Sequence, residues 1–405
     1  MNVLFLSLAY HPSAVNAVAS QSRDGLQNQI NSYQWAFLEG IVRNLTGNEQ
    51  LSVVNSLPVG VFPTRYRKLV LRSHTYPERF REVGSLNLPW FKQHTRAVRA
   101  RREIERWIAA SPDNRTVLLY TLYLPYLQAV AAVKLKHPEV SVCAIVTDLP
   151  NELGISSGRK GLLRKLEYAR GSQSLALCEQ LDGFVLLTEP MADALHVGER
   201  PFLVMEGLIS DPPPSTEGDV ETPNDPRPAV LYTGTLNREL GIGAMLEAFQ
   251  QMPEAQLWLC GRGDMEADIV ATAKACESIR YFGFVTQNTA LALQSKADAL
   301  INPRTAQGAY TRYSFPSKTL EYMRSGKPVL CCKLEGIPGE YDPFLRYMEP
   351  QNAQGIVTAV RDLMRLPKPE REAIGNRARI FVTVQKNSLA QCAKLVGFLR
   401  GLGRP

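Results

Sequence analysis

The sequence lacks the features of several common protein classes. Its 405 residues contain no run of 18 or more apolar residues, so we expect no membrane-spanning helix. The first residues, MNVLFLSLAYHPS, have no basic segment and predict a buried first strand rather than a signal peptide. The seven cysteines are odd in number and have no metal-ligand spacing, which predicts reduced thiols in a cytosolic protein.

Motifs of several enzyme classes are missing as well. The first strand lacks G-x-G-x-x-G, which argues against an ordinary dinucleotide oxidoreductase, and no G-x-S-x-G nucleophile elbow is present. The five histidines have no paired spacing, so we expect neither a metal site nor a metal cofactor.

Basic charge is concentrated in residues 61–110. There, twelve Lys and Arg residues outnumber four acidic ones, while the whole chain carries a net charge of +7. Aromatic and aliphatic side chains are interleaved with these charges. This pattern is typical of a surface that binds an anionic membrane or a nucleic acid, and a plain solvated basic face is the alternative.

Short apolar runs alternate with amphipathic helices, which predicts an α/β protein with parallel sheets. A chain of this length suits two domains, and the segment 210–228, rich in proline and acid, predicts an exposed linker. We expect an N-terminal domain at 1–209, a C-terminal domain at 229–382, and a helix at 383–405 that packs back on the first domain. Two doubly wound, Rossmann-like domains would face each other across a cleft, with ligands at the carboxyl ends of the strands.

The predicted elements follow this alternation. Strands are predicted at Val3–Ser7, Leu51–Asn55, Thr116–Tyr120, Val142–Thr147, Phe184–Thr188, Phe202–Met205, Ala229–Thr233, Gln256–Cys260, Ile279–Phe282, Ala299–Asn302 and Pro328–Cys332. Helices are predicted near 27–43, 242–252, 265–276, 288–296, 318–324, 352–365 and 387–399. The apolar face of the first helix is predicted to contain Ile30, Tyr33, Phe37, Leu38 and Ile41.

A candidate anion site lies in the stretch YSFPSKTLE, residues 313–321. Pro316 favours a helix start, so Ser317, Lys318 and the free N–H groups of the first turn would bind an anion. Glu321 lies on the same helix face, one turn later. Such a site can hold a nucleoside diphosphate, with the phosphates at the helix tip and the ribose diol on the glutamate. The alternative is an exposed Lys318 that merely pairs with Glu321.

Three further loops follow predicted strands. Gly234, in LYTGTLNRELGI, allows close backbone approach to a ligand, and Arg238 is a nearby cation. Gly261 begins the Gly-x-Gly of GRGD. Gly283 and Phe284, in FGFV, form a candidate ledge for a nucleobase, although such segments are more often ordinary turns and core.

In order and spacing, these segments resemble the retaining glycosyltransferases of glycosyltransferase family 4, which have the GT-B fold. The matching segments are GTLNRELG (234–241), GRGD (261–264), FGFV (282–285), ADALINP (297–303), YSFPSKTLE (313–321) and SGKPVL (325–330). The resemblance covers about 229–332 and is closest to a subgroup with an FPSK-type motif. The first domain matches only in architecture.

The sequence departs from the family pattern at three positions. The first glutamate of the family's E-x7-E motif falls on Tyr313, so only the second is retained. The usual arginine after the turn glycine is Thr235, and the usual lysine before the next glycine is Leu240. Both phosphate-binding cations are therefore missing from their usual places, and Arg238 and Lys318 are the candidates to replace them.

The resemblance implies transfer of a sugar, with retention, from a nucleoside-diphosphate sugar to a saccharide or polyprenyl-linked acceptor. Lys318, Arg238 and the backbone at Gly234–Thr235 would stabilise the charge on the leaving diphosphate. Glu321 would orient the ribose. In the family the leaving phosphate itself accepts the acceptor's proton, so neither a dedicated base nor a metal is required.

In the first domain the resemblance points to two further residues. Gly25 stands where the family has a glycine loop near the donor sugar, and an ordinary loop glycine is the alternative. Asp148 stands where the family has a residue that touches the donor sugar or the acceptor, and a helix N-cap is the alternative. Glu206–Gly207 is expected to be a plain turn.

These expectations describe a cytoplasmic enzyme of polysaccharide or glycan assembly, peripheral at the inner face of a membrane if residues 61–110 bind anionic lipid. No nucleic acid partner is expected. A catalytically silent GT-B scaffold or partner subunit is the alternative, since the usual cations are missing. A GT-B sugar-nucleotide epimerase would need histidines and carboxylates that the sequence does not supply.

Overall fold

The computed structural model describes residues 1–111, 114–150, 162–210 and 220–402. About half of the predicted linker, residues 211–219, lies outside the described residues, and residues 220–228 form no helix or strand. The chain divides into two compact units. The N-terminal unit comprises Met1–Ser210 and Ser388–Pro405, and the C-terminal unit comprises Asp211–Asn387.

Ten strands lie in the described part of the N-terminal unit. They are β1 Asn2–Ser7, β2 Gln50–Asn55, β3 Val70–Leu71, β4 His74–Tyr76, β5 Phe80–Glu82, β6 Ser85–Leu86, β7 Arg115–Tyr120, β8 Ser141–Val146, β9 Gly183–Leu186 and β10 Phe202–Val204. Eight of them form one sheet in the order β10-β9-β8-β7-β1-β2-β5-β4, in which only β4 and β5 pair antiparallel. β3 and β6 form a separate antiparallel pair. β1 and β8 are buried along their whole length, as expected for strands covered on both faces.

The C-terminal unit contains a second, fully parallel sheet. Its described strands are β11 Ala229–Thr233, β12 Gln256–Cys260, β13 Ile279–Tyr281, β14 Ala299–Asn302, β15 Val329–Cys331 and β16 Arg346–Tyr347. They are arranged in the order β13-β12-β11-β14-β15-β16. This is the order of a doubly wound sheet, whose direction of winding reverses between β11 and β14.

Helices alternate with these strands along the chain. The described helices are α1 Val15–Gln21, α2 Asn28–Asn44, α3 Phe91–Ala110, α4 Leu124–Lys134, α5 Leu162–Leu177, α6 Met191–Ala194, α7 Ile242–Gln250, α8 Glu266–Ala275, α9 Gln287–Lys296, α10 Ser317–Arg324, α11 Ala353–Arg365, α12 Lys368–Gln385 and α13 Ser388–Leu402. No helix in the described ranges has the length and apolar character needed to cross a membrane.

The last helix, α13, belongs to the core of the N-terminal unit. Leu395 and Leu399, spaced one helical turn apart, are fully buried with Phe37 and Ile41 of α2. At its far end, Arg400 donates a hydrogen bond of 3.0 Å from Nε to the carboxylate of Glu49. This contact lowers the pKa of Glu49 to about 2.

The sequence-based prediction of the helices was wrong at Ile30, and it left out α1, α3, α4, α5, α6 and α12. Ile30, placed on the buried face of α2, is 42% exposed, because the core that covers α2 begins only at Tyr33. Helix α12 was not predicted. Its buried face is built partly from Gly375 and Ala378, which carry little of the apolar signal that marks a helix.

The basic stretch 61–110 is not one continuous exposed surface. Lys92 and Arg96 of α3 are buried, and both donate hydrogen bonds to backbone carbonyl groups in the loop after β2. Burial, with the charge of Arg96 nearby, lowers the pKa of Lys92 to about 7. Burial also raises the pKa of Glu82, at the end of β5, to about 7. These charges therefore support the fold and are not available at the surface.

Candidate functional site

A pocket of about 160 Å³ opens at the carboxyl ends of β11 and β14, where the winding of the C-terminal sheet reverses. Ligands bind at this position in doubly wound folds. The pocket is lined by residues from three segments of the chain. They include Tyr232, Thr235, Leu240, Arg304, Ser317 and Lys318.

Helix α10 begins at this pocket. Its N-cap residue, Pro316, makes no side-chain hydrogen bond to the first turn, and that turn contains no acidic residue. The N–H of Thr319 donates to Pro316 O at 2.8 Å, while those of Ser317 and Lys318 precede it and are open to an anion, and the helix dipole favours negative charge there. Ser317 and Lys318, the first two residues of α10, both line the pocket.

The side chain of Lys318 lies against Gly234, the turn residue after β11. A Cβ atom on this glycine would lie 2.4 Å from Cε and 3.2 Å from Nζ of Lys318, and the φ of Gly234 is +156°. Glycine is therefore required for this approach. Among the described residues Lys318 forms no ion pair, so its charge is open to a ligand.

Glu321 lies one turn along α10 and is half-buried. Its Oε1 accepts a hydrogen bond of 2.7 Å from Nε2 of Gln294, a fully buried residue of α9. The alternative in which Glu321 simply pairs with Lys318 is thus not the arrangement found. Sequence reasoning missed Gln294, because its contact with α10 joins residues 27 positions apart.

The three predicted glycine loops lie together. The N–H of Gly234 donates to Cys260 O at 2.9 Å, and the N–H of Gly261 donates to Gly283 O at 2.9 Å. A Cβ on Gly261 would lie 1.7 Å from Gly234 O, so only glycine permits this packing. Of these loops, the one at Gly234 lies against Lys318 at the start of α10.

Next to these loops, Phe284 is 68% exposed, and the guanidinium of Arg262 lies 4.7 Å from its ring centroid. Nothing lies within 4 Å of the position that a Cβ on Gly283 would take. This open aromatic face can stack a planar ring, and the arginine adds a cation–π contact.

Arg238 is directed away from the pocket. Its Nη2 donates to Asp268 Oδ2 of α8 at 2.8 Å, and its side chain is 71% exposed. It is not one of the residues that line the pocket. The sequence-based hypothesis placed a phosphate-binding cation here, but the nearest acidic partner, on a different helix, holds this guanidinium instead.

Arg304, which sequence reasoning missed, contributes the pocket's other cation. It follows β14 by two residues, in the segment Asn302-Pro303-Arg304. Its Nη2 donates to Ser314 Oγ at 2.8 Å, and its guanidinium lies 5.0 Å from the ring centroid of Tyr310. Its position just beyond a strand at the reversal of winding was the signal that could have identified it.

Tyr232 forms the floor between these groups. Its hydroxyl donates to Thr235 O at 2.8 Å, which holds the turn that contains Gly234. Burial raises the pKa of Tyr232, and the charge of Arg304 acts in the opposite direction. Tyr232 is therefore a neutral hydrogen-bonding group at physiological pH.

The candidate residues of the N-terminal unit do not line this pocket, and each is described by its own surroundings. Gly25 lies in the loop before α2, with nothing within 4 Å of its Cβ position. Asp148 follows β8, is exposed, and accepts a hydrogen bond of 3.1 Å from Thr147 Oγ1. The residues that would test its role as an N-cap, 151–161, lie outside the described residues. Gly207 O accepts a hydrogen bond of 2.7 Å from Gln391 of α13.

A metal site is not apparent in the part of the chain that the structure describes, since no three His, Cys, Asp or Glu residues there are grouped as ligands. The polar groups that line the pocket include two cations, a helix N-terminus and neutral hydroxyl and amide side chains, with no carboxylate among them. This composition suits a phosphate-bearing ligand rather than a cation.

Comparisons with known proteins agree with this geometry. Residues 227–365, about a third of the chain, match the family model described as "Glycosyl transferases group 1". The matched segment contains the whole pocket. A search of curated protein sequences gives no significant match.

Solved structures of similar fold cover nearly the entire chain. Sucrose-phosphate synthase from Thermosynechococcus elongatus is 15% identical with a TM-score of 0.60, and 99% of this chain and 98% of that chain are covered. The catalytic domain of starch synthase IV from Arabidopsis thaliana, bound to ADP and acarbose, is 10% identical with a TM-score of 0.61 and 99% coverage of both chains. A trehalose-6-phosphate protein from E. coli, bound to UDP-2-fluoro glucose, is 8% identical with a TM-score of 0.60 and the same coverage. This similarity confirms the predicted fold class, an α/β protein of the GT-B type.

Proposed function

We propose that this chain is a retaining glycosyltransferase that moves a sugar from a nucleoside-diphosphate sugar to a saccharide or lipid-linked acceptor in polysaccharide or glycan assembly. One observation carries the proposal. Lys318, without an ionic partner among the described residues, lies over Gly234 at the open N-terminus of α10, with Glu321 one turn further on. The family match over 227–365 supports glycosyl transfer, and the similar structures with ADP and UDP-2-fluoro glucose support a nucleotide donor.

In this proposal the C-terminal unit holds the nucleoside diphosphate. Lys318 and the N–H groups of Ser317 and the first turn of α10 bind the phosphates, and the main chain at Gly234–Thr235 approaches them closely. Glu321, held by Gln294, binds the ribose diol. Phe284, Gly283 and Gly261 border the nucleobase.

The reaction breaks the bond between the anomeric carbon and a phosphate oxygen, and the electron pair leaves with the diphosphate. The acceptor's hydroxyl oxygen forms the new bond to the anomeric carbon, and its proton passes to the leaving phosphate. Negative charge builds up on the diphosphate as this bond breaks, so preorganised cations and helix N–H groups stabilise the transition state more than the bound donor and lower the barrier. We keep Asp148 and Gly25 as proposed contacts of the acceptor and the donor sugar.

The test is a thermal-shift screen with UDP, GDP, ADP and their sugars, followed by an assay of donor hydrolysis. One nucleotide at 100 times its Kd should stabilise the protein by about 2.7 kcal/mol. Lys318→Ala and Glu321→Ala should each remove most of this shift. The unliganded Tm should stay unchanged in Lys318→Ala and fall in Glu321→Ala, because the buried amide of Gln294 loses an acceptor.

Lys368→Ala and Glu372→Ala are the matched controls, because these residues form a weak, exposed ion pair on α12. If no nucleotide stabilises the wild-type protein, a silent scaffold is the better description. If the Lys318 and Glu321 variants respond like the controls, the assigned site is wrong.

We also propose that the acceptor is membrane-bound and that the protein is cytoplasmic and docks on the anionic inner face of a membrane. The supporting observation is a group of exposed apolar side chains within the basic stretch. Trp90 is 60% exposed, Phe91 58% and Val70 54%. Lys68 and Arg72, which flank Val70, are exposed as well. Apolar groups among basic ones are typical of a surface that enters an anionic lipid interface.

A further inference from the structure

The pocket contains both positions at which the expected cations are missing. Thr235 and Leu240 line it, and neither carries a charge. A diphosphate carries at least two negative charges, and a single lysine with a helix N-terminus would leave part of that charge without a direct partner. The same pocket is lined by a second cation, Arg304, which comes from the segment after β14.

The surroundings of Arg304 leave its charge available. Within the described residues it forms no ion pair, and its hydrogen-bond partner is the neutral hydroxyl of Ser314. Its Nε is buried and has no hydrogen-bond partner in the described structure. The ring of Tyr310 supports one face of the guanidinium. A planar guanidinium held in this way is oriented before any ligand arrives, which favours bidentate binding of a phosphate.

We propose that Arg304 is the second diphosphate-binding residue of this site, and that it replaces from the β14 side the cations missing at Thr235 and Leu240. The inference rests on the proposed nucleotide-sugar donor. A phosphate-binding Arg304 also explains how the pocket stays positively charged without a cation at Thr235 or Leu240. Arg304 and Lys318 reach the pocket from different segments of the chain. Arg238, paired with Asp268, is not required for this role.

A structural role for Arg304 makes a different prediction. If the arginine only holds the loop through Ser314, then Ser314→Ala should have the same effect as Arg304→Gln, and both should change the unliganded Tm. If the arginine binds phosphate, Arg304→Gln should weaken diphosphate binding but not nucleoside binding. Ser314→Ala keeps the charge and is therefore the matched control.

The experiment is a calorimetric titration of the full-length protein with the preferred nucleoside diphosphate, the same nucleoside without phosphates, and inorganic pyrophosphate. Arg304→Gln should weaken nucleoside diphosphate and pyrophosphate binding by about 10- to 100-fold, as expected for hydrogen bonds to a charged group. Nucleoside affinity should stay within about twofold. Arg304→Lys should restore part of the affinity, and Ser314→Ala should bind within a few-fold of wild type.

Unchanged diphosphate affinity in Arg304→Gln, with a loss in Lys318→Ala, would overturn the role of Arg304 and leave the proposed function intact. Binding of pyrophosphate that depends on Arg304, with no binding of any nucleotide, would support the anion site and overturn the nucleotide donor.

If the wild-type protein binds neither pyrophosphate nor any nucleotide, both proposals fail. If Arg304→Gln is unstable without ligand, Arg304→Lys decides: a folded variant with wild-type nucleoside affinity and intermediate diphosphate affinity supports the proposal, and equal loss of both overturns it.

Discussion

Glycine residues decide how closely the loops of the C-terminal site approach each other. Gly261 has a φ of +140°, and a Cβ there would overlap the main chain of Gly234. Gly243, at the start of α7, has ordinary helical geometry, and the nearest atom to its Cβ position is 3.9 Å away. A side chain at position 261 would therefore clash with the neighbouring loop, whereas a side chain at position 243 would fit.

Gly261→Ala should lower the free energy of unfolding of the C-terminal unit by roughly 1–3 kcal/mol, because the added methyl group strains the backbone and separates the two loops. Gly243→Ala should leave it unchanged or raise it by up to about 1 kcal/mol, because alanine favours the helix. Hydrogen exchange of peptides from β11 and β12 at increasing urea concentration, which reports on the C-terminal unit alone, measures both. Equal stability in the two variants would contradict the packing described.

Single residues also show which contacts of the site could not be predicted from the sequence. The glycine and lysine of the site were identified from local motifs, because a turn after a strand and a helix start are short-range features. The sequence analysis named Arg238 and did not consider Arg304, and no local pattern separates the two, since both are arginines close to a strand end. Asp268, 30 positions further along, holds one of them, and no local pattern predicts that pairing.

At the scale of elements, helix α10 is supported by a helix that the sequence analysis did not predict. A Cβ on Gly375 of α12 would lie 2.0 Å from Gly326 O, just after α10, so the two segments are in close contact. The position of α10 sets where Lys318 and Glu321 point. Helix α12, whose helical pattern in the sequence is weak, therefore helps to position α10, which carries the candidate residues Lys318 and Glu321.

The exposed apolar residues at the start of α3 lead to a prediction at the same scale. Liposomes that contain anionic lipid should retain the wild-type protein at low salt and release much of it at high salt, because basic groups supply part of the attraction. The double variant Trp90→Ser/Phe91→Ser should be retained several-fold less. A co-sedimentation assay measures the bound fraction.

Leu135→Ser is the control, since Leu135 is 85% exposed after α4 and lies outside the basic stretch. It should bind like the wild type. Failure of the wild-type protein to bind at low salt, or an equal loss in the control, would remove the membrane proposal.

At the scale of the whole molecule, the chain enters the C-terminal unit once and returns to finish in the N-terminal unit. The predicted C-terminal segment began at residue 383, but α12 continues to Gln385 within the C-terminal unit, and α13 then begins at Ser388. The last helix completes the core around α2, although Asn44 and Ser388 are 344 positions apart in the sequence.

Leu395→Ala should therefore lower the free energy of unfolding of the N-terminal unit by about 2–5 kcal/mol, the usual cost of a buried leucine truncation. Leu389→Ala, at a 37% exposed position of the same helix, should cost much less. Hydrogen exchange of peptides from α2 and from β11 separates the two units. Faster exchange in α2, with β11 unchanged, is the expected result, and the reverse pattern would contradict the assignment of α13.

The sequence by itself determined the type and order of most elements, and with them the fold class. Strands such as Ala229–Thr233 and Gln256–Cys260 have the predicted bounds, because apolar runs and turn residues are local signals. It also predicted an anion site at the start of α10 from a few consecutive residues, and the structure places Ser317 and Lys318 of that stretch in the pocket lining.

Only the tertiary structure decided which cations face the pocket, which polar groups are buried, and where the last helix packs. Arg304 is brought to the site by β14 and Lys318 by α10, while Asp268 holds Arg238 away from it. Lys92 and Arg96, counted as surface charge in the sequence, are used inside the fold. The physical reason is the same in each case: the energy of a charged side chain depends on partners that are distant in sequence and become neighbours only when the sheets form.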